Sequence, residues 1–138
     1  MSKYHQTRRG QRGAAILELA LGFLVFFIVL YSIMEFGRVI VSYNILAGAA
    51  REGARYAIVH GSASGSAASA SDIQTLVREW AIGLDANSIA VTTTPDPSSA
   101  SPGSTISVKA SYTLTPFTGL ILDKNITLQS TSQMVVSQ

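Results

Sequence analysis

The segment from residue 14 to residue 34 is predominantly apolar, Glu18 is its only charged residue, and it contains no proline. A helix rises about 1.5 Å per residue, so this segment would span roughly 30 Å, the thickness of the hydrocarbon core of a bilayer. The rest of the chain is rich in small and polar residues and offers too little apolar surface to enclose such a helix. The sequence therefore predicts that residues 14–34 cross a membrane.

Basic residues are concentrated ahead of this apolar segment. The chain before residue 14 has no acidic residue and four basic ones, namely Lys3, Arg8, Arg9 and Arg12. The remainder carries six Lys and Arg against eight Asp and Glu, so the basic character belongs to the N-terminal stub alone. Because basic residues stay on the cytoplasmic side of a span, we expect a cytoplasmic N-terminus, a single pass through the inner membrane and an external C-terminal part. A nucleic-acid partner is not indicated, since the basic residues form one short tail on an apolar segment.

Several kinds of chemistry are excluded by residue content. The chain has no cysteine, which rules out disulfides, thiol nucleophiles and cysteine-ligated metals. His5 and His60 are isolated in the sequence, and no Ser/His/Asp or paired-carboxylate pattern is present. We therefore predict a protein that is not an enzyme and that binds no metal or cofactor.

The chain beyond the span predicts an α+β domain. No proline interrupts residues 14–59, so the membrane helix is expected to continue outside the bilayer, followed by a flexible Ser/Ala/Gly loop over residues 60–72. Residues 73–138 then predict a short helix, capped by Ser71 or Asp72, and alternating apolar residues typical of strands. The three predicted strands begin at Ile89, Ile106 and Ile126. The predicted fold is a long N-terminal transmembrane helix packed on a small antiparallel sheet with one short helix.

Two features of the long helix predict contacts. Glu35 ends the apolar run, and Arg38 lies three residues later on the same face, so the two can form an interfacial ion pair or Glu35 can contact another subunit. Ala49, Gly53 and Ala57 recur every four residues, and a stripe of small residues permits close approach of a second backbone. The stripe could pack on the protein's own sheet or on a neighbouring subunit.

The junction "RRGQRG|AAILE", residues 8–18, resembles the class III signal peptide of type IV pilin-like proteins. The resemblance implies that a prepilin peptidase cuts on the cytoplasmic side between Gly13 and Ala14, which makes residues 1–13 a leader peptide. It also implies that Glu18 is the functional glutamate near the new N-terminus. Leu19 departs from the pattern, because pilins of the tight-adherence type often have an aromatic residue there. Physically, Glu18 either extends to the cytoplasmic interface or pairs with a cation of a neighbouring subunit.

Residues 12–57 as a whole look like the TadE-like family of the tight-adherence pilus system, most specifically in "MEFGR" and "AAREGARYA". The resemblance implies a minor or major pilin-like subunit that assembles through its N-terminal helix into an extracellular filament used in cell adhesion. Its expected partners are prepilin peptidase, an inner-membrane assembly platform, lipid and other pilin-like subunits in a homo- or hetero-oligomer. The alternative is an unprocessed single-pass anchor whose outer domain binds a partner in the cell envelope.

Overall fold

The computed structural model describes residues 7–119 and 122–136. Its first element is a helix, α1, over Thr7–Val59. The helix therefore begins seven residues before the predicted start at Ala14, inside the predicted leader, whose first six residues (including Lys3 and His5) lie outside the described part. The chain divides into two compact units, Met1–Gly37 and Arg38–Gln138, which are described separately.

The first unit consists of the apolar part of α1. Its large side chains are exposed, among them Ile16, Leu19, Phe23, Phe27 and Ile33. Polar groups on this stretch bond within the helix, as where the Ser32 hydroxyl donates to the carbonyl oxygen of Ile28 at 2.7 Å. The helix is long and apolar enough to cross a membrane, and its most apolar window is unburied, which suggests a membrane anchor.

The second unit contains the remainder of α1, a second helix and an antiparallel sheet. Helix α2 covers Ala70–Trp80, and the strands are β1 at Ile89–Thr94, β2 at Thr105–Leu114 and β3 at Ile126–Val135. The described strands pair in the order β1–β2–β3. The predicted α+β fold class is thus confirmed, because the alternation of apolar residues in each strand placed its buried face correctly.

The core of the second unit lies between the helices and one face of the sheet. Buried residues come from all of these elements: Leu46, Ala50 and Ala54 of α1, Ile73 and Val77 of α2, and Ile89, Ile106, Val108, Leu114 and Leu128 of the strands. Arg78 of α2 reaches the sheet, where its Nε and Nη2 donate to the carbonyl oxygen of Ile89 at 3.3 and 3.2 Å. Apolar burial and this charge-assisted contact hold α2 against β1.

Helix α2 starts earlier than predicted. Ser69 is its N-cap, not Ser71 or Asp72, which lie in the first turn. The Asp72 N–H donates to Ser69 Oγ at 3.3 Å, and the Ser69 N–H donates to Asp72 Oδ2 at 2.9 Å. These two bonds form a capping box. The Ser69 hydroxyl also donates to Asp72 Oδ2 at 2.7 Å, and the pKa of Asp72 is held below its usual value by the backbone N–H of Ser69 first and by this hydroxyl next.

The other face of the sheet is exposed and almost uncharged. Lys109 of β2 lies at its centre, opposite Thr92 of β1 and Thr131 of β3. The remaining residues that point to this side are small or polar: Ala90, Thr94, Thr105, Ser107, Ser111, Thr113, Thr127, Gln129 and Gln133, with Val135 at one end. This surface exposes hydroxyl and amide groups to solvent and takes no part in the core.

Candidate functional site: contact surfaces of the long helix

Glu18 lies on a shallow groove along one face of α1. The groove is lined by Ala15, Glu18, Leu19, Gly22, Phe23 and Phe26. These residues recur at helical spacing, so they share one face, and a Cβ atom at Gly22 would have no other atom within 4 Å. Within residues 13–119 and 122–136, no side chain forms an ion pair with Glu18. The carboxylate therefore stands beside a glycine notch on an otherwise apolar face.

The groove contains a feature that the sequence analysis missed. Gly22 lies one helical turn after Glu18, and aromatic rings flank the notch on its far side. Phe23 and Phe27 have ring centroids 6.3 Å apart, and Phe26 and Phe27 are 5.7 Å apart. The four-residue spacing of Glu18 and Gly22 could have indicated this notch, because a small residue one turn from the carboxylate leaves the helix surface beside it open.

The predicted cleavage site, Gly13–Ala14, is helical in the structure. Gly13 is exposed, and a Cβ atom placed there would meet no other atom within 4 Å. Glycine is among the poorest helix formers, by about 1 kcal/mol relative to alanine, so Gly13 lowers the helix propensity at this point.

Glu35 and Arg38 each contact groups other than those predicted. Glu35 is only 2% exposed, and the hydroxyl of Tyr31 donates to its Oε2 at 3.5 Å. Arg38 Nη2 donates to the carbonyl oxygen of Thr115 at 2.8 Å, and its Cζ lies 4.6 Å from the ring centroid of Phe117. These contacts to Thr115 and Phe117 cross almost eighty residues of sequence, so no local pattern could have indicated them. The Glu35–Arg38 ion pair stays a prediction.

The stripe of Ala49, Gly53 and Ala57 lies in the core of the second unit. A Cβ atom at Gly53 would come within 2.6 Å of Val77 Cγ2 in α2, and within 3.5 Å of Val108 Cγ1 in β2. The stripe thus lets α1 approach both α2 and the sheet of its own chain. On the polar side of the same helix, Arg55 Nη1 lies 3.6 Å from Glu52 Oε1, an i, i+3 pair on one helix face.

The second unit also carries an exposed apolar groove, formed where the end of α2 meets α1. It is lined by Asn44, Ile45, Gly48, Ala49, Glu52, Trp80 and Ile82. Trp80 is 55% exposed and Ile82 is 79% exposed, although both are large and apolar. The described residues contain no group of three or more His, Asp or Glu side chains placed to hold a metal ion. The exposed side chains of Trp80 and Ile82 are suited to contact with another apolar surface.

Comparison with known proteins locates the similarity in the long helix. No curated protein and no solved structure matches the chain significantly. A match to a family model lies within α1, and the family is a structural one associated with the Tad pilus. It includes Gly13, Glu18, Glu35 and Arg38, and it ends within the small-residue stripe. Residues 13–55 match the model of the TadE-like protein family, which confirms over this segment the resemblance found in the sequence.

Proposed function

We propose that this chain is a pilin-like structural subunit, minor or major, of a pilus of the tight-adherence type. It resides in the inner membrane with its N-terminus in the cytoplasm, and prepilin peptidase cuts it between Gly13 and Ala14. The mature chain then joins an extracellular filament through α1, with the help of an assembly platform in the membrane. The observation that carries the proposal is the exposed apolar face of α1, interrupted by Glu18 beside the Gly22 notch.

The exposed apolar face explains how one helix can serve in two surroundings. Its leucine, isoleucine and phenylalanine side chains need a non-aqueous environment, which lipid supplies before assembly. Helices of neighbouring subunits supply an equivalent environment in a filament, so the transfer from lipid involves little hydrophobic cost. The basic leader opposes this transfer, because its charges hold the N-terminus at the cytoplasmic surface.

Glu18 gives the assembled state an advantage over the membrane state. A carboxylate in a membrane helix costs about 2.5–3.5 kcal/mol at the bilayer centre on insertion scales, and less towards the edge. A cation from a neighbouring subunit would recover part of this cost, and cleavage creates one in the α-amino group of Ala14. The Gly22 notch leaves room beside the carboxylate for such an approach. The competing role, extension of Glu18 to the cytoplasmic interface, predicts no effect on assembly.

The experiment compares Glu18→Ala with Leu17→Ala, a matched truncation at the adjacent exposed position. Alkaline extraction measures membrane insertion, mass spectrometry of the N-terminus measures cleavage, and the sheared surface fraction measures incorporation. We expect Glu18→Ala to insert and be cleaved but to be depleted from the filaments, whereas Leu17→Ala is incorporated. Equal incorporation of both variants would show that Glu18 has no intersubunit role. Gly13→Trp should block cleavage and leave the protein in the membrane.

A second function is favoured by the apolar groove at Trp80 and Ile82. In this alternative the chain remains an uncleaved single-pass anchor, and the groove binds another protein of the cell envelope. N-terminal sequencing of the cell-surface form separates the two functions. A chain that starts at Ala14 supports the pilin-like subunit, and a surface form that starts at Met1 excludes it in favour of the anchor.

A further inference from the structure

Phe117 is a large apolar residue that the protein holds in an exposed position. It belongs to the connection that follows β2, and 72% of its surface is accessible to solvent. Arg38 fixes this connection in two ways, since its guanidinium bonds the Thr115 carbonyl oxygen at 2.8 Å and lies 4.6 Å from the Phe117 ring. A ring held in place without being buried is suited to contact with another apolar phase.

The position of Arg38 along the chain limits where Phe117 can lie. Arg38 follows Met34, the last residue of the predicted span, by four residues. Four residues of helix rise about 6 Å, and four residues of any conformation extend at most about 14 Å. The headgroup layer on each side of a bilayer is about 5–8 Å thick. If Met34 ends the span, Arg38 lies in or just beyond the outer headgroup layer, and Phe117 lies beside it.

We propose that Arg38 and Phe117 form a lipid contact site, which rests the connection after β2 on the outer surface of the bilayer before the subunit is assembled. The inference rests on the proposed membrane insertion of α1 and adds a second point of contact to it. Its ligand is the interfacial region of a phospholipid bilayer, which combines phosphate groups with the first methylene groups of the acyl chains.

The chemistry of both side chains fits this ligand. A guanidinium carries five N–H donors, so the bond to Thr115 does not exhaust the capacity of Arg38 to bind a lipid phosphate. The Phe117 ring, stacked on the same guanidinium, would replace contact with water by contact with acyl chains. Ile40, two residues after Arg38, is also large, apolar and exposed, which extends the apolar surface at this level of the chain.

The test uses tryptophan fluorescence of the full chain in vesicles of phosphatidylcholine and phosphatidylglycerol, with and without bromine atoms on the acyl chains. Bromine quenches an indole only at short range. Trp80 is the single native tryptophan, so it is first removed by Trp80→Phe. Phe117→Trp or Phe26→Trp is then introduced into that variant. Phe26→Trp reports on the span, and the unmodified chain reports on Trp80. That indole lies near Gly48, ten residues of α1 beyond Arg38.

We expect brominated lipid to quench the Phe117→Trp indole severalfold more than Trp80, and to a degree near that of Phe26→Trp. Adding Arg38→Gln should reduce the quenching at position 117 while leaving that at position 26 unchanged. If position 26 is quenched and position 117 is not, the lipid contact is refuted and the membrane span stands. If neither is quenched, the proposed insertion itself fails. If the indole at position 117 is unquenched in vesicles and is shielded from solvent only in assembled filaments, Phe117 belongs to a subunit interface and the lipid contact is refuted.

Discussion

Gly53 is the described glycine at which the packing leaves least room for a Cβ atom. A Cβ atom there would lie 2.6 Å from Val77 Cγ2, well inside the contact distance of two methyl groups. Val77 cannot move its methyl group away easily, because β-branched side chains in helices have one strongly preferred rotamer. The other two neighbours, Ile73 Cγ2 at 3.4 Å and Val108 Cγ1 at 3.5 Å, are at or near ordinary contact distance. Gly53→Ala therefore creates one severe collision.

The expected magnitude follows from two opposing effects. Overpacking of a core costs about 1–3 kcal/mol, whereas replacing a helical glycine by alanine gains about 1 kcal/mol. Gly53→Ala should thus lower the free energy of unfolding by about 1 kcal/mol. Gly48 provides the matched control on the same helix, because a Cβ atom there meets nothing within 4 Å. Gly48→Ala should raise the free energy of unfolding by up to about 1 kcal/mol, so the difference between the two variants measures the collision.

The assay is urea unfolding of the full chain in detergent micelles, followed by the fluorescence of Trp80 at the end of α2. In a Val77→Ala background the colliding methyl group is gone, so Gly53→Ala should change sign and become stabilising. The argument would be refuted if Gly53→Ala stabilised the chain as much as Gly48→Ala does. It would also be refuted if the Val77→Ala background left the effect of Gly53→Ala unchanged.

Two further predictions concern polar contacts of the second unit. Ser69→Ala removes the N-cap of α2 and should lower the free energy of unfolding by about 1 kcal/mol in the same assay, whereas Ser66→Ala in the preceding loop should change it little. The pKa of Asp85 is held below its usual value by the hydroxyl of Ser88 and then by the backbone N–H of Asn87. Because this pKa is lower in the folded chain, Asp85 stabilises the fold above about pH 4, and this contribution is lost as the pH falls through the folded value. Asp85→Asn should therefore flatten the fall of the urea midpoint below about pH 4, and an unchanged acid limb would contradict the assignment.

The architecture was predictable because it depends on periodic patterns. An apolar run of membrane length predicts a helix that must be sheltered from water, and the alternation of apolar residues, clearest in β2, predicts strands with one buried face. The ends of the helices were less predictable. The Ser69–Asp72 capping spacing was present, but the apolar periodicity from Ile73 onward drew the predicted start of α2 towards that residue. Residues 7–13 contain no large apolar residue, so no apolar periodicity extended the predicted helix back to Thr7.

The contact surfaces were predictable only where they depend on local spacing. The four-residue spacing of Ala49, Gly53 and Ala57 indicated a close approach, but spacing alone cannot name the partner, which proved to include Val77 of the chain's own α2. The contact of Arg38 with Phe117 joins two distant segments. Local spacing could indicate only Glu35 as a neighbour of Arg38, whereas the carbonyl oxygen of Thr115 and the ring of Phe117 come into reach of Arg38 through the fold.

The exposed face of the sheet has a consequence for the divergence of chains with this fold. Its side chains, including Thr92, Lys109 and Thr131, alternate with those that fill the core, so each can be exchanged without altering the volume of any buried residue. The face of α1 that packs on the sheet has no such freedom, as Gly53 illustrates. Mutations should therefore accumulate on one side of the sheet much faster than on the other. The exposed surface of the sheet can in this way change between related chains while the packing of α1 on the sheet is retained.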